Sequence, residues 1–238
     1  MVRKASRVLT GTHRRVRALG RMADTLAIDQ ILTERSIHLC VDMQRLFSKE
    51  GPWPTPWMDR TLPVIAEIAD RHAKETIFTR FIPPARPEDL PGVWQEYYRR
   101  WREVTREELD RRLLDLVPPL ARLVPPALVV DKPVYSPFHG WRLPALLKER
   151  GVDTVLVTGA ETDVCVLATV LGAVDHGYRV VLVNDAVCSS SVAGHDALLT
   201  LYHERFSEQI VAASAAEVLA AWPNGTKVFR GALSGVSG

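Results

Sequence analysis

The sequence predicts an α/β protein with three layers, α/β/α, built on an open six-stranded parallel sheet of the doubly wound, Rossmann-like kind. Three observations predict it. Short apolar runs recur along the chain, and successive residues in each are apolar, so both faces of each strand need cover. Between the runs, apolar residues recur at helical spacing. Several runs end on a charged or polar residue, where a doubly wound sheet opens its ligand crevice.

The elements follow in order. Ser36-Ile37-His38-Leu39-Cys40-Val41-Asp42 reads as a strand ending on an acid. Residues 57–73 read as a helix, with Leu62, Ile65, Ala66 and Ala69 at its period. Thr76 to Phe81 is the second strand and Ala127 to Asp131 the third, followed by a helix from Leu143 to Arg150. Thr154 to Thr158 is the fourth strand. A helix from Val164 to His176 follows, with Leu167, Val170, Leu171 and Val174 on one face. Val180 to Val183 is the fifth strand, Gly194 to Phe206 a helix, Ile210 to Ala212 the sixth strand and Ala215 to Ala221 a last helix. Right-handed crossovers join such units into one sheet.

Residues 82–126 interrupt the alternation. They hold three Pro-Pro pairs, and Trp94, Tyr97, Tyr98 and Trp101 interleaved with Arg99, Arg100 and Arg102. An insertion of this length is a candidate lid or subunit contact. The aromatic residues also fall at helical spacing, which suits an amphipathic helix packed on the body as well as it suits a substrate role.

Composition narrows the classes. With 238 residues, 47% hydrophobic and 24% charged, the chain has the make-up of a globular protein, which excludes disorder, collagen and coiled coil. No apolar run approaches the ~20 residues that span a bilayer, so no membrane partner is expected. The net charge of +2 is uneven: Arg3, Lys4, Arg7, Arg14, Arg15, Arg17 and Arg21 fall within residues 1–21. Without these seven, 23 basic residues face 28 acidic ones, a net of −5. An acidic body argues against nucleic-acid binding. The arm, residues 1–21, is read as disordered or as lying ahead of a natural start at Met22, in preference to a targeting segment or a binding tail. A single domain is expected over residues 22–225, and a flexible tail over residues 226–238.

Cys40, Cys165 and Cys188 form no metal-ligand spacing, and a reducing, cytoplasmic compartment is expected. Cys40 and Cys188 sit in or beside apolar runs and read as small buried hydrophobes. Cys165 differs. In Thr158-Gly159-Ala160-Glu161-Thr162-Asp163-Val164-Cys165-Val166 a strand gives way to a turn and then a helix. A thiol in a helix's first turn is expected to have a lowered pKa. The free N–H groups there suit an oxyanion, and Thr162 or Asp163 could cap the helix. Asp42, at the end of the first strand, suits a base for a thiol or a cap for the turn after it. Lys132 ends the third strand and suits a balancing cation or a surface lysine.

These residues carry a resemblance. The chain resembles the isochorismatase-like cysteine hydrolases through Val41-Asp42-Met43-Gln44, through Asp131-Lys132-Pro133-Val134-Tyr135-Ser136-Pro137-Phe138, through Gly159 to Val166, and through Asn184-Asp185-Ala186. The motifs stand in the family's order over about residues 30–222. The resemblance implies the isochorismatase-like fold and a triad of Asp42, Lys132 and Cys165, with attack by Cys165 on a carbonyl and a thioester intermediate. It implies a cis peptide between Ala160 and Glu161, with the backbone N–H groups of Glu161 and Cys165 forming an oxyanion hole. A homo-oligomer, dimer or tetramer, is implied too.

Departures from the family sharpen this. Nicotinamidases of the family hold a metal through a histidine pattern after the second strand. Here Arg80 to Asp89 contains no histidine, so no metal and no cofactor are expected. Isochorismatases that cleave a vinyl ether lack the cysteine, so Cys165 directs the expectation to C–N bonds of a small amide, ureide or carbamoyl compound. A vinyl-ether hydrolase and a non-catalytic or redox-sensing member stay open. Phe47, Trp53 and Trp57 follow the first strand, and Tyr135 and Phe138 follow Lys132; they could line an apolar or planar pocket. Arg80 could pair with a substrate carboxylate or with a neighbouring acid. His38 and His176 read as structural, and His139 as loop surface or pocket rim.

Overall fold

The computed structural model describes residues 27–222. The basic arm (residues 1–21), the Met22 start and the tail (residues 226–238) lie outside the described residues. The sheet contains β1 (Ser36–Val41), β2 (Thr76–Phe81), β3 (Leu128–Lys132), β4 (Thr154–Ala160), β5 (Arg179–Cys188) and β6 (Ile210–Ala213). All neighbours pair parallel, in the order β3-β2-β1-β4-β5-β6. This is the doubly wound sheet that the alternation predicts. The chain reverses its direction of travel across the sheet between β1 and β4, the switch point beside which ligands bind in such sheets.

The helices are α1 (Ile28–Ile31), α2 (Met58–Arg71), α3 (Val93–Arg100), α4 (Pro118–Ala121), α5 (Arg142–Glu149), α6 (Leu167–Asp175), α7 (Val192–Arg205) and α8 (Ala215–Ala221). Every residue of β1 is buried. Cys40, with Phe78 and Leu156, packs under α2 and α8 through Ile65, Ile68, Ala69 and Val218. Leu39 and Val41 pack on the opposite face with Leu143 and Leu147 of α5, Val170 and Ala173 of α6 and Tyr202 of α7. Two apolar faces therefore require two helix layers.

β5 is longer than expected. It runs on past Val183 to Cys188. Exposed Asn184 and Asp185 interrupt the apolar run, but pairing resumes as Gly159 meets Val187 and Ala160 meets Cys188 after a shift in register. Asp185 accepts a hydrogen bond at 2.8 Å from the Ala215 N–H, helping to fix the start of α8. The insertion packs on the body through α3, whose Tyr98 is fully buried. The Val124–Pro125 and Pro125–Pro126 bonds are cis.

Gly159 is dictated by proximity. Its φ is +112°, and a Cβ there would lie 2.1 Å from the Val41 carbonyl oxygen on β1. His38 is buried between Thr76 (3.1 Å) and Thr158 (2.8 Å). Thr76 spends its hydroxyl proton on the His72 carbonyl, so His38 Nδ1–H donates to Thr76 and Nε2 accepts from Thr158. Burial, aided by His72, pushes the His38 pKa down to about 3.

Two outcomes follow. Gly159→Ala loses roughly 2–4 kcal/mol of stability in urea unfolding, because backbone must move to admit the methyl. His38 stays neutral in the fold but takes up a proton when unfolded below about pH 6.5. Its contribution is present above that value and lost as pH falls toward 3, by up to roughly 4 kcal/mol. His38→Gln should flatten that part of the stability–pH curve measured by chemical denaturation.

Candidate active site

β1 ends at Val41 and the chain turns at Asp42, whose φ of 49° is left-handed, a region Asp tolerates better than most residues. The turn sets the carboxylate across the strand ends. Thr79 of β2 grips it twice: its hydroxyl donates to Oδ1 at 2.6 Å and accepts from the Asp42 N–H at 3.2 Å. Lys132, last residue of β3, donates from Nζ to Oδ2 at 2.6 Å. Asp42 is 0% exposed and Lys132 3%. Lys132 also reaches the Val134 carbonyl at 3.3 Å and lies 5.1 Å from the centre of the Phe81 ring. Burial works against the lysine's charge, but Asp42, joined by Cys165, outweighs it and holds the Lys132 pKa above its ordinary value.

Gln44 braces this corner. Buried, it donates to the carbonyls of Phe81 (3.1 Å) and Leu114 (2.9 Å) and accepts from the Phe81 N–H (2.7 Å). The side chains of Asp42 and Gln44 cap no helix; the short turn at Arg45–Phe47 has no side-chain cap.

On the other side of β1, β4 ends at Ala160, and the Ala160–Glu161 peptide is cis. Thr162–Val166 form a π-helical turn, in which the Val166 N–H reaches the Glu161 carbonyl at 3.0 Å, and α6 follows. The helix expected from Val164 therefore starts as a wider coil, a feature common at functional sites. The turn sets the Cys165 thiol within electrostatic reach of both Asp42 and Lys132. Neither Thr162 nor Asp163 caps it. Thr162 meets His195 Nδ1 at 2.9 Å, and Asp163 accepts from the Ser189 hydroxyl at 2.6 Å.

The thiol's pKa moves opposite to expectation. Burial first, and the Asp42 charge second, raise it; Lys132 opposes them without reversing the sign. A helix start lowers a thiol pKa where the thiol stays hydrated. Cys165 is only 5% exposed, so the thiol, not the thiolate, is its resting form.

A cleft of about 360 Å³ opens over Cys165. Phe47, Trp53 and Tyr135, three of the expected pocket residues, line it. So do Phe81, Tyr97, Glu161, Val164 and Ser190, with Pro52 and Pro54. Trp53 is the hub of the wall: its ring lies 6.1 Å from Phe47, 6.3 Å from Phe81, 6.3 Å from Tyr97 and 5.9 Å from Trp101. Burial pushes the Tyr97 phenol up to about 12, so it remains a hydroxyl donor at neutral pH.

Other candidates lie elsewhere. Arg80 is not a cleft residue: it stands opposite Asp131 in the β2–β3 register and grips that carboxylate in a two-bond fork, at 2.7 and 2.9 Å. Phe138 is also corrected. It is buried against Gly172 of α6, where an added Cβ would meet its ring at 2.9 Å, and it stacks on His176 at 5.2 Å. Trp57 turns its ring to His195, 5.1 Å away. His139 is exposed on its loop and does not line the cleft. Sequence reasoning missed the side chains of Phe81, Glu161 and Ser190. Ser190 had a signal: it follows the carboxyl end of β5, once that strand is taken through to Cys188.

Among the described residues no group of three or more His, Cys, Asp or Glu is arranged to hold a metal ion. The segment after β2 presents Ile82, Pro83 and Pro84, which offer no side-chain donor for one. No helix of the described residues is long and apolar enough to cross a membrane.

Removing one member of a buried ion pair strands the other. Lys132→Met should cost about 3–5 kcal/mol in urea unfolding, and adding Asp42→Asn should recover part of that loss.

The isochorismatase domain profile matches residues 36–214. The uncharacterized isochorismatase family protein PncA of Bacillus subtilis is 33% identical over 86 residues, covering 36% of this chain and 47% of that protein. Maleamate amidohydrolase of Pseudomonas putida is 29% identical over 92 residues, covering 39% and 43%. The chain thus aligns with less than half the length of these curated relatives. The solved cysteine hydrolase from Pseudomonas syringae pv. phaseolicola 1448A superposes with a TM-score of 0.69 at 24% identity, over 79% of this chain and 92% of that one, and shares the fold. With the domain matched from the first residue of β1 to the residue after β6, the chain belongs to the isochorismatase family.

Proposed function

We propose that this protein is a cysteine hydrolase that cleaves the C–N bond of a small amide, ureide or carbamoyl compound. The observation that carries this is a thiol in the wall of the cleft, within electrostatic reach of the buried Asp42–Lys132 pair. The amidohydrolase and cysteine hydrolase among the relatives support the same class.

Because Cys165 rests as a thiol, its proton leaves during attack rather than before it. Sγ bonds to the carbonyl carbon while Asp42 takes the proton. The N–H groups of Glu161 and Cys165 receive the oxyanion. When the intermediate collapses, the C–N bond breaks, its electron pair stays on nitrogen, and Asp42 returns the proton there. A thioester remains. Water then attacks it and Asp42 takes the water's proton; collapse breaks the C–S bond, releases the acid and leaves the electron pair on Sγ, which takes the proton back from Asp42. Lys132 keeps its charge throughout and holds the Asp42 carboxylate in place by its 2.6 Å hydrogen bond. A vinyl-ether hydrolase would leave a thiol at this point of the cleft without a role.

The test is ammonia or amine release from a panel of primary amides, ureides and carbamoyl compounds. Cys165→Ala should lower turnover by on the order of 10⁴-fold or more, and Asp42→Asn by a similar order. Unchanged turnover in Cys165→Ala would discard the thioester route. Iodoacetamide should alkylate Cys165 well before Cys40 or Cys188, since the latter two are fully buried in the sheet while Cys165 lines the cleft. Equal alkylation of all three would count against the nucleophile.

A further inference from the structure

We infer that Glu161 makes the cleft selective for amides whose non-reacting end carries a protonated amine, and hostile to amides that carry a carboxylate. The inference deepens the hydrolase reading and rests on Cys165 marking the end of the cleft where the carbonyl reacts.

The charges of the site lead to it. Among the described residues no Lys, Arg or His lines the cleft. Arg80, the cation at the end of β2, is held by Asp131 outside it. Lys132 is buried and its charge is cancelled by Asp42. Cys165 rests neutral. The Glu161 carboxylate is then the one uncancelled charge among the lining residues.

That carboxylate is also fixed in place. The Ser190 N–H (3.2 Å) and hydroxyl (2.7 Å) both donate to Oε2. Oε1 has no hydrogen-bond partner among the described residues and stays available to a ligand donor. Ser190 itself lines the cleft, so the clamp belongs to the wall.

The rest of the wall suits the same ligand. Trp53, Tyr97, Tyr135, Phe47 and Phe81 present aromatic rings, which attract a cation through their faces and stack on a planar group. A ligand ammonium could sit between ring faces and Glu161. A ligand carboxylate would meet like charge with no cation among the described lining residues, in a partly desolvated cleft where that repulsion is weakly screened.

Three amides of one shape test this: 4-(aminomethyl)benzamide, 4-methylbenzamide and 4-carbamoylbenzoate. Each is titrated by calorimetry at neutral pH into the Cys165→Ala protein, which cannot turn it over, and into the same protein carrying Glu161→Gln. The ammonium probe should bind more tightly than the methyl probe by on the order of 10-fold, and the carboxylate probe should bind weakest. Glu161→Gln keeps an acceptor for Ser190 but removes the charge, and should bring the ammonium-to-methyl ratio to within about threefold of unity. A carboxylate probe that binds as tightly as the ammonium probe overturns the inference. So does a ratio that Glu161→Gln leaves unchanged, or a failure of all three to bind. Wild-type ammonia release from the same probes reports separately on hydrolysis. The expected binding order without turnover would retain the inference and sink the hydrolase reading; turnover with the carboxylate favoured would do the reverse.

Discussion

The buried pair of Asp42 and Lys132 is the constraint on which the rest of the site depends. Its members end β1 and β3, which are not neighbours: β2 runs between them. A 2.6 Å contact across an intervening strand requires all three strands to hold their register. Each charge alone in that place would cost several kcal/mol of desolvation. The surroundings answer that cost with directed hydrogen bonds: Thr79 of β2 on Asp42, and the Val134 carbonyl on Lys132. The alternation of β3 does the rest. Asp131 points outward to Arg80, and Lys132, one residue on, points inward to Asp42.

Because the pair is nearly neutral as a whole, it does not decide the state of the third member. Lys132 pulls the Cys165 pKa down and Asp42 pushes it up, which leaves burial to set the direction. A neutral thiol suits a dry site better than a thiolate, and it ties nucleophilic attack to a proton acceptor. In the proposed reaction Asp42 is that acceptor. The π turn serves the same end: one extra residue in the first coil brings Cys165 to the ion pair while α6 still packs on the sheet through Val170 and Ala173.

Sequence alone carried the layers and the parallel sheet, because each depends on a local pattern, and it singled out Asp42, Lys132 and Cys165, the first two of which the structure joins at 2.6 Å. Strands apolar on both faces can only be sheet interior, and strand ends mark the ligand side. What escaped depends on relations between segments. Arg80 stands at a strand end as Asp42 does, and only the β2–β3 register shows that Asp131 claims it. Phe138 and Tyr135 follow the same strand, but the close approach of Gly172 draws Phe138 under α6 and leaves Tyr135 at the cleft. In α3 the aromatic residues share one helical period, and tertiary packing alone sends Tyr98 into the core and Tyr97 to the cleft wall. The direction of the Cys165 shift escaped for a similar reason: a helix start is visible in sequence, and burial is not.

Labour is divided within the cleft. The charged pair sits on strand ends that the sheet holds rigidly. The wall comes from the segment after β1 with Phe47 and Trp53, from α3 with Tyr97, and from the segment after β3 with Tyr135. Such connecting segments tolerate change better than the strands they join. Trp53 knits two of them together, touching Phe47 on its own segment and Tyr97 and Trp101 from the insertion. The insertion in turn is pinned by Tyr98, whose ring is wholly inside the core. It is therefore built in as a wall of the cleft, and substitutions along its cleft face can alter what fits without touching the ion pair beneath.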